Sequence, residues 1–115
     1  MLFRSSYIAG GGGPDNPSQG NQAAGGAAFI GGGLSNSAGG TYSTIAGGQS
    51  NIAGVHGGIF YPTVGGGWSN AATVVGSTIA GGYDNTANGP YASIAGGYEN
   101  SAAGLYGAEI GRAHV

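Results

Sequence analysis

An aliphatic residue followed six positions later by asparagine and eight positions later by alanine occurs five times in this chain. The aliphatics are Ile30, Ile45, Val64, Ile79 and Ile94. Their asparagines are Asn36, Asn51, Asn70, Asn85 and Asn100, and their alanines are Ala38, Ala53, Ala72, Ala87 and Ala102. Successive aliphatics stand 15, 19, 15 and 15 residues apart, which is a 15-residue repeat with one insertion. A unit this short cannot enclose a core alone. It must stack on its neighbours, so equivalent side chains fall into columns.

Each unit reads (Ser/Thr)-Ile-(Ala/Gly)-Gly-Gly-x-x-Asn-x-Ala, as in Thr44-Ile45 and Ser93-Ile94 with their following glycines. Three units continue x-Gly-x-Tyr, through Gly40 and Tyr42, Gly89 and Tyr91, Gly104 and Tyr106. Apolar residues never recur at the 3.6-residue spacing of a helix, and the stretches between glycines are too short for one. Pairs such as Gly47-Gly48 and Gly96-Gly97 supply corners, because glycine accepts positive φ at little cost. The expectation is all-β: a narrow parallel β-solenoid of about six coils, each with two short strands. Coils about 4.8 Å apart would make a rod of about 25–30 Å. The extra residues of the coil begun by Ile45 are expected within Val55–Phe60. Those of the first coil, opened by Ile8, are expected around Pro14–Gln22.

Inside so thin a coil, one aliphatic with Ala and Gly fills the space, giving an Ile-Ile-Val-Ile-Ile column. Two roles are open to the asparagine column: a left-handed corner, which Asn tolerates, or an inward ladder of stacked amides. Two aromatic columns remain, Tyr42, Tyr61, Tyr91 and Tyr106, and the post-glycine position Leu34, Trp68, Tyr83 and Tyr98. So little apolar burial per coil leads us to expect that one column is buried between copies of the chain and the other contacts a surface.

Glycine contributes 29 of 115 residues and proline 4, a fraction that without a period would indicate disorder. The glycines recur in register with the aliphatics, which reverses that reading. Charged residues make up only 5%. Residues 6–108 form the repeat domain and contain no Lys or Arg, so they cannot neutralise phosphates, and nucleic-acid binding is excluded. No apolar run reaches the roughly 20 residues of a spanning helix. Cysteine is absent, so disulfides and thiolate metal sites are excluded.

The ends read differently. Leu2-Phe3-Arg4-Ser5 and Ile110 to Val115 are what common sequencing-adapter strings encode, so residues 1–5 and 109–115 are expected to be adapter scars on a fragment of a longer protein. Glu109, at the next anchor position, fits that expectation.

Ser93-Ile94-Ala95-Gly96-Gly97-Tyr98-Glu99-Asn100-Ser101-Ala102-Ala103-Gly104 resembles the head repeat of trimeric autotransporter adhesins, the YadA-like head, as does Thr78 through Gly89. The resemblance covers nearly all of Ile30–Ala108 and, more loosely, Ile8–Phe29. It departs where Gly32, Gly47, Gly66, Gly81 and Gly96 replace a second aliphatic, which implies a thinner core. It implies a left-handed β-roll, homotrimeric assembly, and a bacterial cell-surface location with an outer-membrane anchor outside this chain. The implied function is attachment to host matrix proteins, glycans or abiotic surfaces.

Enzyme chemistry is not expected. His56 lacks partners at the spacing of a triad or metal site, and no catalytic, cofactor-binding or metal-binding residue is assigned. Asp84 and Glu99 share a repeat position and should stack as two solvated corner charges. Gly10 to Gly13 lacks the Lys-Ser/Thr of a phosphate loop. Other non-enzymatic readings are a plain structural spacer and an ice-binding solenoid. The threonine rank the latter needs runs through Thr44, Thr63 and Thr78 but fails at Phe29 and Ser93.

Overall fold

The structure is a computed structural model that describes residues 5–10, 20–56 and 58–111. The adapter-like residues 1–4 and 112–115 lie outside the described residues, as do Asp15 and most of the first insertion. The described residues carry thirteen strands of two residues each and no helix. They alternate along the chain between two parallel sheets. One sheet holds β1 (Tyr7–Ile8), β3 (Phe29–Ile30), β5 (Thr44–Ile45), β7 (Thr63–Val64), β9 (Thr78–Ile79), β11 (Ser93–Ile94) and β13 (Ala108–Glu109), in that order. The other holds β2 (Gln22–Ala23), β4 (Ser37–Ala38), β6 (Ile52–Ala53), β8 (Ala71–Ala72), β10 (Thr86–Ala87) and β12 (Ser101–Ala102). The chain is thus a β-solenoid of about six 15-residue coils, only 17 Å across at its thinnest.

Register follows the repeat. Ile30 pairs with Ile45, Ile45 with Val64, Val64 with Ile79, and Ile79 with Ile94. Each two-residue strand points one side chain out and one in, so Thr44 is half-buried while Ile45 is fully buried. The same pairing continues from Ile94 to Glu109, which extends the anchor column as a half-buried carboxyl. The extra residues of the long coil fall between Gly54 and Ile59, since Gly39 still pairs with Gly54 and Thr41 bonds Ile59. The first insertion is shorter at its end than the sequence indicates. Gln22 is already in β2 and Asn21 is bonded to Gly10 and Gly33, so the added residues lie between Gly10 and Asn21.

A further interior column passes unnoticed in the repeat formula. Two residues before each anchor stand Ala28, Ser43, Pro62, Ser77 and Ala92, all buried. They share small volume but no single residue type. Ser77 Oγ donates to Val74 O at 2.7 Å, whereas Ser43 Oγ is buried with no partner among the described residues. Ser43→Ala is therefore expected to leave stability unchanged or raise it by up to about 1 kcal/mol, read by urea unfolding, because Ala28 and Ala92 fill the same place.

Candidate functional site

Two features run along the solenoid: a buried amide ladder, and corners that carry an exposed aromatic on most coils. The five asparagines of the motif are all buried. From Asn36 to Asn85 each Oδ1 accepts the backbone N–H of the next asparagine, as from Asn51 to Asn36 and from Asn85 to Asn70, both at 3.0 Å. Across the same span each Nδ2 donates to two glycine carbonyls, one four residues earlier and one on the next coil. For Asn85 these are Gly81 at 3.2 Å and Gly97 at 2.9 Å. The carbonyl of each asparagine is taken by the preceding coil, as Asn85 O is by Ala71 N. Its own N–H finds an acceptor only in the amide before it. The side chain thus replaces a backbone acceptor and caps two backbone carbonyls, which no aliphatic can do.

The ladder has a member that the motif omits. Asn21 Oδ1 accepts from Asn36 N at 3.0 Å and from Asn36 Nδ2 at 3.1 Å. Asn21 stands 15 residues before Asn36, but the first insertion separates it from Ile8. The asparagines themselves do not supply the corner. Left-handed φ falls one residue earlier, on Ser35, Ser50, Ser69, Asp84 and Glu99, at +52° to +57°. Asp84 and Glu99 sit there on neighbouring coils, exposed, and the described residues contain no group of three or more potential metal ligands.

The other five non-glycine residues with positive φ also form one column: Ala27, Tyr42, Tyr61, Tyr91 and Tyr106, at +54° to +63°. Gly76, at +64°, completes it. Tyr42 is the third residue of a turn closed by Ser43 N to Gly40 O, and Tyr91 of one closed by Ala92 N to Gly89 O. With only that third residue at positive φ, these are type II-like turns, in which the third position favours glycine or asparagine. The four tyrosines are 49–71% exposed. Tyr42 stacks on Tyr61 and Tyr91 on Tyr106, each at 5.4 Å between ring centres.

The post-glycine column is bridged coil to coil from Leu34 through Gln49, Trp68 and Tyr83 to Tyr98. Trp68 is 49% exposed and meets Tyr83 edge-on at 4.9 Å. Tyr83 and Tyr98 are half-buried against each other, stacked at 5.0 Å and 7°. Tyr98 donates a hydrogen bond to the Glu99 carboxylate, which raises its pKa above the usual tyrosine value. Neither aromatic column is buried within one chain. Thr44, Thr63 and Thr78 form a half-buried outward rank between an exposed Phe29 and an exposed Ser93. His56 lies exposed in the second insertion, its Nδ1 accepting from Gly58 N at 3.3 Å. No helix among the described residues is long and apolar enough to cross a membrane. No protein-family profile, curated protein or solved structure matches the chain, so its two repeated columns carry the functional reading.

Proposed function

We propose that the chain is a non-enzymatic attachment module, part of the head or shaft of a homotrimeric bacterial surface adhesin. The observation that carries this reading is tyrosine at left-handed corners. Holding a non-glycine residue there costs roughly 1–2 kcal/mol, and an aromatic stack returns about 0.5–1.5 kcal/mol. One stack is shared by two corners, so it offsets only part of their strain, and the tyrosines add nothing to the stability of one chain. Gly76 shows that glycine makes the same turn. A reason for tyrosine outside the chain's own folding is therefore favoured.

Stacked rings turn their faces to each other and their edges and hydroxyls outward. Such a row suits hydrogen bonding to a glycan, a matrix protein or a hydrated abiotic surface better than stacking on sugar faces. Identical groups repeated along a rigid rod also bind through avidity. The membrane anchor and remaining domains would belong to chain beyond this sequence.

The joint variant Tyr42→Gly, Tyr61→Gly, Tyr91→Gly, Tyr106→Gly tests the reading. Each change is expected to move stability by less than about 1 kcal/mol, since lost stacking and the backbone entropy of glycine together offset relieved strain. Adhesion to glycan and matrix-component arrays or to silica is expected to fall by about tenfold or more, equivalent to ~1.4 kcal/mol. Unchanged adhesion with an intact circular dichroism spectrum would favour the spacer reading, which rests on the unbroken amide ladder. Light scattering tests the homotrimer directly.

A further inference from the structure

Six of the seven tyrosines are arranged as three stacked pairs on adjacent coils: Tyr42 with Tyr61, Tyr83 with Tyr98, and Tyr91 with Tyr106. The seventh, Tyr7, stacks on Phe29 at 5.9 Å instead. In each pair the backbone holds the two residues in register. For Tyr83 and Tyr98 it does so from both sides, through Tyr83 N to Gly97 O and Glu99 N to Tyr83 O, each 2.9 Å. This pair is also the closest of the three, at 5.0 Å and 7°. The backbone on which its rings are mounted cannot drift apart while the coils remain stacked. Among the described residues it alone has a carboxylate hydrogen-bonded to a tyrosine hydroxyl, that of Glu99 on Tyr98.

We propose that Tyr83 and Tyr98 form an oxidative cross-linking site, at which a one-electron oxidant of the haem-peroxidase class joins neighbouring coils through a dityrosine bond. Each phenol loses one electron and its hydroxyl proton. Glu99 receives the proton of Tyr98, and water receives that of Tyr83. The two radicals then couple through the ring carbons next to the oxygens, forming one carbon–carbon bond. The hydrogens on those carbons move to the oxygens and restore both phenols. In sum two electrons and two protons leave the pair, and one hydrogen peroxide accepts them to give two waters. The product ties the coil begun by Ile79 to the one begun by Ile94. The pairs Tyr42–Tyr61 and Tyr91–Tyr106 undergo the same coupling more slowly, having no carboxylate partner among the described residues. Tyr61 and Tyr91 do not couple, because Gly76 occupies the coil between them.

The test treats the folded chain, at low concentration, with a haem peroxidase and limiting hydrogen peroxide. Cleavage before Asp84 and after Glu99 places Tyr83, Tyr98 and Tyr106 on three successive fragments, with Tyr42 and Tyr61 sharing the first. Mass spectrometry then distinguishes all three pairings. The expected result is monomer-sized protein with dityrosine fluorescence, in which the Tyr83–Tyr98 link is the first to accumulate. Its yield should fall to that of random pairing in urea. Tyr98→Phe keeps a ring in the stack and should abolish this link while sparing the other two. If Tyr98→Phe perturbs the fold by circular dichroism, Tyr83→Phe serves in its place. Links that are mainly between chains, that involve Tyr7 as often as Tyr98, or that form equally well in urea would overturn the proposal. So would absence of the Tyr83–Tyr98 link from the folded protein.

Discussion

Replacing Asn70 with leucine is expected to lower the unfolding free energy by about 2–5 kcal/mol, although the two side chains share the same branching and heavy-atom number. Asn70 lies mid-ladder and is fully buried. Its Oδ1 accepts from Asn85 N and from Asn85 Nδ2, both at 3.0 Å. Its Nδ2 donates to Gly66 O at 2.9 Å and Gly82 O at 2.8 Å. Leucine removes all four bonds. Asn85 Nδ2 still has Gly81 and Gly97, and Gly82 O still accepts from Trp68 N. The Asn85 N–H and the Gly66 carbonyl keep no partner from these bonds, and each such loss costs about 1–3 kcal/mol. Asn88→Leu, on the exposed side of the same region, should stay within about 0.5 kcal/mol.

Asn70→Asp separates the donor from the acceptor role. Aspartate keeps an oxygen for Asn85 but turns the other toward the carbonyls of Gly66 and Gly82. Burial and those carbonyls both disfavour the charged form, so the folded-state pKa lies above the unfolded value of about 3.9. A raised folded pKa means stability present below the unfolded value and lost as pH rises through the folded one. The urea midpoint of the variant should therefore recover toward wild type on acidification from neutral pH. A deficit that does not change with pH would show that the amide donors contribute nothing.

The period, the anchor column and the alternation of two short strands could be read from the chain because one residue type recurs at each place. The small column could not, since Ala28, Ser43, Pro62, Ser77 and Ala92 share only size. Asn21 was hidden by the insertion that separates it from Ile8, although its 15-residue distance from Asn36 was a usable signal. The two meanings of asparagine differ in backbone geometry alone. Propensity favours asparagine for the left-handed corner, yet the ladder claims its side chain and the corner passes to Ser35, Ser50, Ser69, Asp84 and Glu99. Tyrosine at the opposite corner contradicts propensity outright. The one hint was Gly76, which stands 15 residues from both Tyr61 and Tyr91.

The glycine pairs divide in the same way, and alanine substitution should expose the difference. Gly82→Ala is expected to cost at least about 3 kcal/mol or to prevent folding, whereas Gly81→Ala should stay within about 1 kcal/mol of wild type. Gly82 has φ of +101°, and its counterparts Gly33, Gly48, Gly67 and Gly97 have +88° to +99°. A Cβ on Gly82 would overlap the Gly97 carbonyl oxygen and come within 2.6 Å of Asn85 Nδ2. That oxygen accepts from both Tyr83 N and Asn85 Nδ2, so any shift that relieves the overlap strains two inter-coil bonds. A Cβ on Gly81 meets nothing within 4 Å. Thermal and urea unfolding of the two variants compares residues that are adjacent in sequence and identical in type. If both variants behaved alike, glycine would matter only as a flexible link. A large loss confined to Gly82 would tie its conservation of space to the ladder, because the atom it excludes belongs where Asn85 and Gly97 meet.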